Sequence, residues 1–134
     1  MKKINKDIQY FINKYPKMLT LEEDGRFSVC VGFEPVWLDL IDELMDCIQS
    51  YIDNNKHLNI SQVRIHQIKE KFGNLRFYYD GGDETIHGMV WFAEYQSQFI
   101  CEKCGKPAEL KETHGWYRTI CKECKEKEDE KKRK

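Results

Sequence analysis

The sequence predicts an α+β fold, in which helices pack on a small antiparallel sheet and a treble-clef-like module of four cysteines follows. Three observations lead to this fold class. Segments with helical spacing of apolar residues enclose segments in which apolar and polar residues alternate. Two C-x-x-C pairs stand close to the end of the chain. At 134 residues and 40% hydrophobic content, the chain can bury one real core.

The helices and strands are predicted in the order α-β-α-β-β-α. A short amphipathic helix covers residues 4–15, and residues 27–31 alternate as a half-buried strand. The clearest helix extends over about residues 35–53, where apolar side chains form one continuous stripe. Residues 61–80 are typical of a β-hairpin, and an aspartate then caps a helix that ends at about residue 99.

The details of the hairpin follow from strict alternation. This pattern places Ile65 on one face of its strand and Ile68 on the other. Gly73 and Asn74 are the residues that can adopt the positive φ of a tight turn, so we place the turn there.

Beyond the hairpin and its following helix, the chain divides by composition. We expect a core domain at residues 1–100, a zinc module at 101–124 and a charged tail, helical or disordered, at 125–134. The tail is the part of the sequence with the lowest complexity, and the second cysteine pair is expected to begin a helix.

Cys101, Cys104, Cys121 and Cys124 are predicted to bind one structural Zn²⁺ ion. Two cysteines three positions apart bring both sulfurs to about 2.3 Å from one ion across a tight turn. Four thiolates leave no coordination position open, so the pattern does not indicate a catalytic zinc. Two disulfides are the alternative, which a reducing compartment disfavours, and His114 could compete as a ligand.

Charge and hydropathy argue against a membrane protein, a secreted protein and, less strongly, a nucleic-acid-binding protein. No run of 18 apolar residues occurs, and polar residues interrupt the apolar stretch that a signal peptide needs, so we expect no membrane contact and a cytoplasmic location. Residues 101–134 carry a net charge of +3 with neutral thiols, because 11 basic residues face 8 acidic ones. Four thiolates and one zinc reduce this to about +1, which is a weaker field than nucleic-acid binders usually have.

The strings QIKEKFGNLRFYY, AEYQS, CEKCGKPA and GWYRTIC occur in this order. In this combination the chain resembles a family of small proteins encoded by bacteriophages and prophages, with the signature K-E-K-F-G-x-L-R-F-Y, C-E-x-C-G-x-P and G-W-x-x-T-x-C. The resemblance covers roughly residues 34–124. The last ligand of the family is often histidine, where this chain has Cys124. The resemblance implies a viral or prophage origin and a bacterial host cell, but no established activity.

Four residues of the hairpin and the following helix are candidates for partner binding. Arg76 alternates away from the apolar side of its strand and can bind a phosphate or carboxylate as a fork, or pair with a nearby acid. Trp91 and Tyr95 are four apart and hence neighbours on a helix. With Tyr78 they could form an aromatic platform for a base or a partner side chain, or belong to the core.

The acidic side of the long helix is a second candidate surface, where like charges one turn apart suit a basic partner or simply face solvent. Cys30 and Cys47 lie in apolar patterns and are predicted to be buried. The acidic residues are Asp39, Asp42, Glu43 and Asp46.

The sequence contains no convincing pair of nucleophile and base, so we expect no enzyme. The preferred hypothesis is a non-enzymatic, zinc-stabilised binding protein that engages a host protein, such as a defence or regulatory factor. One alternative is a nucleic-acid-binding accessory protein, and another is a binder of a small molecule such as a nucleotide signal, held by Arg76 and the aromatics. Packing on one side of the second long helix would leave some of its aromatic side chains uncovered, and a homodimer would cover them.

Overall fold

The structure is a computed structural model that describes residues 8–19, 30–32, 35–113 and 115–132. These residues confirm the α+β class and the treble-clef order of the cysteine module. The elements are α1 (Ile8–Lys14), β1 (Cys30–Gly32), α2 (Leu38–Asn54), β2 (Arg64–Lys71), β3 (Asn74–Asp80), α3 (Glu84–Ser97), β4 (Leu110–Thr113), β5 (Trp116–Thr119) and α4 (Lys122–Lys132), with 3₁₀ turns at Pro35–Trp37 and Lys56–Leu58.

The larger sheet is a hairpin with one additional strand. β2 and β3 pair antiparallel as predicted, and β1 joins β2 on the other side in parallel orientation. A strand was predicted here, but its parallel pairing was not. It arises because α2 lies between β1 and β2 and carries the chain back to the starting end of the sheet, as a crossover helix does. Residues 27–29 of the predicted strand lie outside the described residues.

The prediction that Ile65 and Ile68 face opposite sides is wrong. A β-bulge lies between Ile65 and Gln67, so two steps along β2 match one step along β3. Ile65 then stands opposite Tyr79 and Ile68 opposite Phe77, which are on the same face of β3. Both isoleucines are therefore buried in one core.

The hairpin turn falls one residue earlier than predicted. Phe72 (φ +54°) and Gly73 (φ +83°) are its two residues with positive φ, whereas Asn74 already belongs to β3. A bulky residue with positive φ is a genuine outlier, and it costs about 1–2 kcal/mol. The two-residue loop between the paired residues Lys71 and Asn74 requires positive φ at both of its positions.

The core lies between the sheet and the helices. α2 contributes Ile41, Met45 and Ile48, and α3 contributes Ile86 and Val90. The cap of α3 is the predicted one, since the Asp83 carboxylate accepts the Ile86 N–H at 3.0 Å.

α3 lies along the outer edge of β3. Ser97 Oγ accepts the Leu75 N–H at 2.8 Å, and the Glu94 carboxylate accepts the Phe77 N–H at 2.9 Å. These contacts occupy N–H groups that would otherwise be available to another strand. Within the described ranges, no helix combines the length and the apolar character needed to cross a membrane.

Candidate metal centre and binding surfaces

The first cysteine pair lies on a tight turn closed by backbone hydrogen bonds. The Cys101 N–H donates to the Lys106 carbonyl at 2.7 Å, and the Gly105 N–H donates to the Cys101 carbonyl at 3.0 Å. Gly105 has φ +80°, which glycine adopts without steric cost. The Lys103 N–H points at the Cys101 sulfur, 3.4 Å away. The turn thereby directs Cys101 and Cys104 to one point.

The second pair lies at the start of α4. Cys121 precedes the helix and Cys124 is in its first turn, where the Lys125 N–H donates to the Cys121 carbonyl at 3.0 Å. All four sulfurs lie within 4.8 Å of one another, and the sulfurs of Cys104 and Cys121 are 3.6 Å apart. A disulfide needs about 2.05 Å. A tetrahedron with bonds of about 2.3 Å has edges of roughly 3.8 Å, so the spacing fits a metal site.

The electrostatics of the cluster also fit a cation. Burial raises the pKa of the Cys101 thiol, but N–H groups of Cys121, Cys104 and Lys103 outweigh it and lower the pKa to about 6. Hydrogen bonding to the Cys121 sulfur and burial raise the pKa of Cys124 to about 12. The four sulfurs cannot all ionise next to one another without a positive charge between them. The donor set is thus a candidate metal-binding site.

Arg118 binds the parts of the module together. Its Nε donates to Glu102 at 3.0 Å, and its two terminal nitrogens donate to both oxygens of Glu128 at 2.8 and 2.9 Å. The guanidinium lowers the pKa of the Glu128 carboxyl to about 2. Glu128 is on α4, beyond residue 124, so the fork connects the β4–β5 hairpin to the segment predicted as the tail. Sequence spacing gave no signal for this fork.

The module docks on the turn of the β2–β3 hairpin. The buried Thr119 hydroxyl donates to the Gly73 carbonyl at 2.9 Å. The Phe72 ring meets the Tyr117 ring edge-on with centroids 6.0 Å apart. A Cβ atom on Gly73 would lie 2.6 Å from Leu110 Cδ1. Through these contacts the hairpin turn and the module form one joint.

The members of the predicted aromatic platform differ in the side chains they contact. Tyr95 packs edge-on against Phe99, with centroids 5.1 Å apart, whereas Tyr78 lies under the Lys69 ammonium at 5.4 Å. Among the described residues no ring contact joins Tyr78 to Trp91 or Tyr95. Trp91 and Tyr95 remain on the exposed side of α3.

Arg76 has an acid in its neighbourhood, as the alternative interpretation required. Burial raises the pKa of the Glu94 carboxyl, while the Phe77 N–H and then the charge of Arg76 act in the opposite direction. Arg76 is half-buried on β3 and stands opposite Lys69 in the sheet.

The acidic surface of α2 is smaller than predicted. Asp39, Glu43 and Asp46 are exposed, but the inclusion of Asp42 was wrong, because its side chain is buried. The Asp42 carboxylate accepts hydrogen bonds from α1 and the residue after it: from the Tyr10 hydroxyl at 2.7 Å, from Lys14 Nζ at 3.1 Å and from the Tyr15 hydroxyl. Since these partners come from a distant segment, the helical pattern of α2 alone does not show them. Asp42 is structural.

The prediction that Cys47 is buried is also wrong, and the side chain of Cys30 lies outside the described part of the chain. Cys47 is exposed because it lines an open groove of about 440 Å³ between α2 and α3. The apolar spacing of α2 alone does not show this groove, because α3 forms its facing wall. The lining residues are Leu40, Glu43, Leu44, Cys47, Met89, Phe92, Ala93 and Gln96.

A second cleft, of about 340 Å³, lies on the module between the β4–β5 hairpin and α4. Lys111, Trp116, Lys122 and Lys125 are among its lining residues. Trp116 is 76% exposed.

Comparisons of this chain with family models, with curated proteins and with solved structures found no match.

Proposed function

We propose that this protein is a non-enzymatic binding protein, stabilised by one structural Zn²⁺ ion, that engages another protein through the exposed aromatic face of α3. Zinc is the metal proposed because four thiolates around one point form its usual structural site. Cys101, Cys104, Cys121 and Cys124 would hold the ion, which supplies folding free energy and has no open position for a substrate.

The observation that carries the binding proposal is the exposure of four aromatic side chains, three on α3 and one just after its end. Trp91 is 77% exposed, Phe92 63%, Tyr95 52% and Phe99 41%. Aromatic residues are enriched at the centres of protein interfaces, where they bury much area at low conformational cost. Such a group of large apolar side chains in contact with water supports an interaction surface.

The source and class of the partner are proposed from the sequence resemblance. A phage or prophage origin makes a cytoplasmic host protein, such as a defence or regulatory factor, the expected partner. A second copy of the chain would also cover the aromatics of α3, and sedimentation at several concentrations distinguishes this homodimer from a heteromeric partner.

The test is affinity capture from a bacterial host lysate with three forms of the zinc-loaded protein. The double variant Trp91→Ala/Tyr95→Ala removes the centre of the aromatic face. Trp116→Ala is the matched control, because Trp116 is as exposed as Trp91 but lies on the module. We expect the wild type and the control to retain one stoichiometric protein and the double variant to lose it. Equal capture by all three forms, or no stoichiometric protein, contradicts the proposal.

The cleft that contains Trp116 favours a second candidate function, the binding of nucleic acid. An exposed tryptophan can stack on a base while Lys111 and Lys122 contact phosphates. Binding of single-stranded DNA or RNA that weakens with salt and is lost in Trp116→Ala would support it. No binding at low salt eliminates it. The small-molecule alternative stays a prediction, which thermal shifts with a panel of nucleotides test.

A further inference from the structure

α2 and α3 each carry a stripe of mainly apolar side chains at the border of the core, and Leu44 and Ala93 belong both to these stripes and to the core. On α2 it consists of Leu40, Leu44 and Cys47, which follow the spacing i, i+4, i+7. On α3 it consists of Met89, Phe92 or Ala93, and Gln96, with the spacing i, i+3 or i+4, i+7. This is the spacing of a helix that contacts another helix along its length.

The two stripes line the same groove. Its volume of about 440 Å³ lies between the helices and is open to solvent. Each stripe extends over seven residue steps, which correspond to about 10 Å along a helix axis. A third helix laid into this groove would place side chains at i, i+3 or i+4, and i+7 against both walls, which is the pattern of helix-in-groove recognition.

The two rims of the groove differ in chemistry. The α2 rim is acidic, since Glu43 lines the groove and Asp46 follows three residues later, both exposed. Within the described ranges, neither of these two acids forms an ion pair. The α3 rim is aromatic, with Phe92 in the wall. Acids on one side and aromatic rings on the other both favour a cationic occupant.

We propose that the α2–α3 groove binds an amphipathic helix of the partner protein, with its apolar face in the groove and lysines or arginines along the α2 rim. This inference rests on the proposed function, because it names the structural class and the charge of the partner segment.

The test is a library of helix-forming peptides of about 18 residues, roughly five turns. Apolar residues are fixed at i, i+3, i+4 and i+7, and the flanking positions are randomised. The library is selected on the zinc-loaded protein. We expect the selected peptides to be rich in lysine and arginine on one side of the apolar stripe. Selection of neutral or acidic flanks, or of no binder, overturns the inference.

Cys47 reports whether a selected peptide occupies the groove. In the free protein its exposed thiol should react with iodoacetamide, and mass spectrometry assigns the label to this residue. A saturating peptide should slow labelling of Cys47 at least tenfold. Unchanged labelling places the peptide elsewhere and contradicts the inference. Protection that depends on protein concentration and needs no peptide means that a second copy occupies the groove, which contradicts it as well.

Charge reversal tests the acidic rim. Glu43→Lys/Asp46→Lys should weaken binding of the selected peptides about tenfold, equivalent to about 1.4 kcal/mol. Glu126→Lys/Glu130→Lys is the matched control, because it changes the net charge equally at exposed positions of α4. If both variants lose the same affinity for the peptides, the effect comes from overall charge, and the inference is overturned.

The same variants separate this inference from the proposed function. If Trp91→Ala/Tyr95→Ala loses the captured host protein but the rim variant keeps it with full affinity, the groove inference fails and the proposed function stands. If the aromatic double variant keeps the host protein, the proposed function fails.

Discussion

Replacing Asp42 by alanine removes the buried carboxylate to which α1 is attached. The wild-type side chain accepts hydrogen bonds from Tyr10 at 2.7 Å, from Lys14 at 3.1 Å and from Tyr15. A hydrogen bond to a charged group contributes about 1.5–3 kcal/mol. Part of this is recovered, because the Tyr15 hydroxyl also donates to the Asp42 backbone carbonyl at 2.8 Å and Lys14 is 42% exposed to water. We therefore expect a loss of about 2–3 kcal/mol in the free energy of unfolding.

Urea denaturation of the zinc-loaded protein measures this loss. With a slope of about 2 kcal/mol per molar urea, the midpoint should fall by about 1–1.5 M. Asp46→Ala is the matched control, since it removes an exposed carboxylate one turn further along α2 and should stay within about 0.5 kcal/mol of the wild type. A midpoint for Asp42→Ala that equals the control would refute the assignment of Asp42 as a structural residue.

Three further outcomes test other parts of the structure. Gly88→Ala should raise the free energy of unfolding by about 0.5–1 kcal/mol in thermal melts, because a Cβ there meets nothing within 4 Å and glycine weakens a helix; a lower melting temperature contradicts this. Gly73→Ala should lower it by about 2–4 kcal/mol, because a Cβ at φ +83° would collide with Leu110, and wild-type stability would argue against the docked joint. Burial and the hydrogen bond to Asp42 raise the pKa of the Tyr15 hydroxyl above its ordinary 10.0. The unfolded chain loses this proton first, so the contribution is present below pH 10 and is lost as the pH rises above 10. Urea midpoints between pH 10 and 12 should therefore show the wild type losing up to about 1.4 kcal/mol per pH unit more than Tyr15→Phe, whereas equal slopes would refute the shift.

Local patterns in the sequence were sufficient for the main helices, the β2–β3 hairpin and the cysteine cluster, but not for β4. Apolar spacing predicted the long helix that the structure places at Leu38–Asn54, and an aspartate at the correct offset predicted the cap of α3. The two C-x-x-C pairs predicted the cluster of four sulfurs, because each pair is positioned by its own turn or helix start. These features depend on neighbours within a few residues.

The features that were missed depend on partners far away in the chain. Asp42 is buried because Tyr15, 27 residues earlier, donates to it. The ring of Phe72, in the hairpin turn, packs against Tyr117 of the cysteine module. A helical pattern states which residues share a face, but it does not state which face meets another element and which meets water. The exposure of Cys47 was missed for the same reason. The groove that it lines is defined only once α3 is placed beside α2.

Native mass spectrometry of the purified, reduced protein tests the central claim most directly, that four cysteines hold one zinc ion that organises the C-terminal module. The account predicts a folded chain that carries one zinc, and that loses the compact charge-state distribution when the metal is chelated and the thiols are alkylated. A folded chain without metal, or one lighter by the four hydrogens of two disulfides, would contradict it.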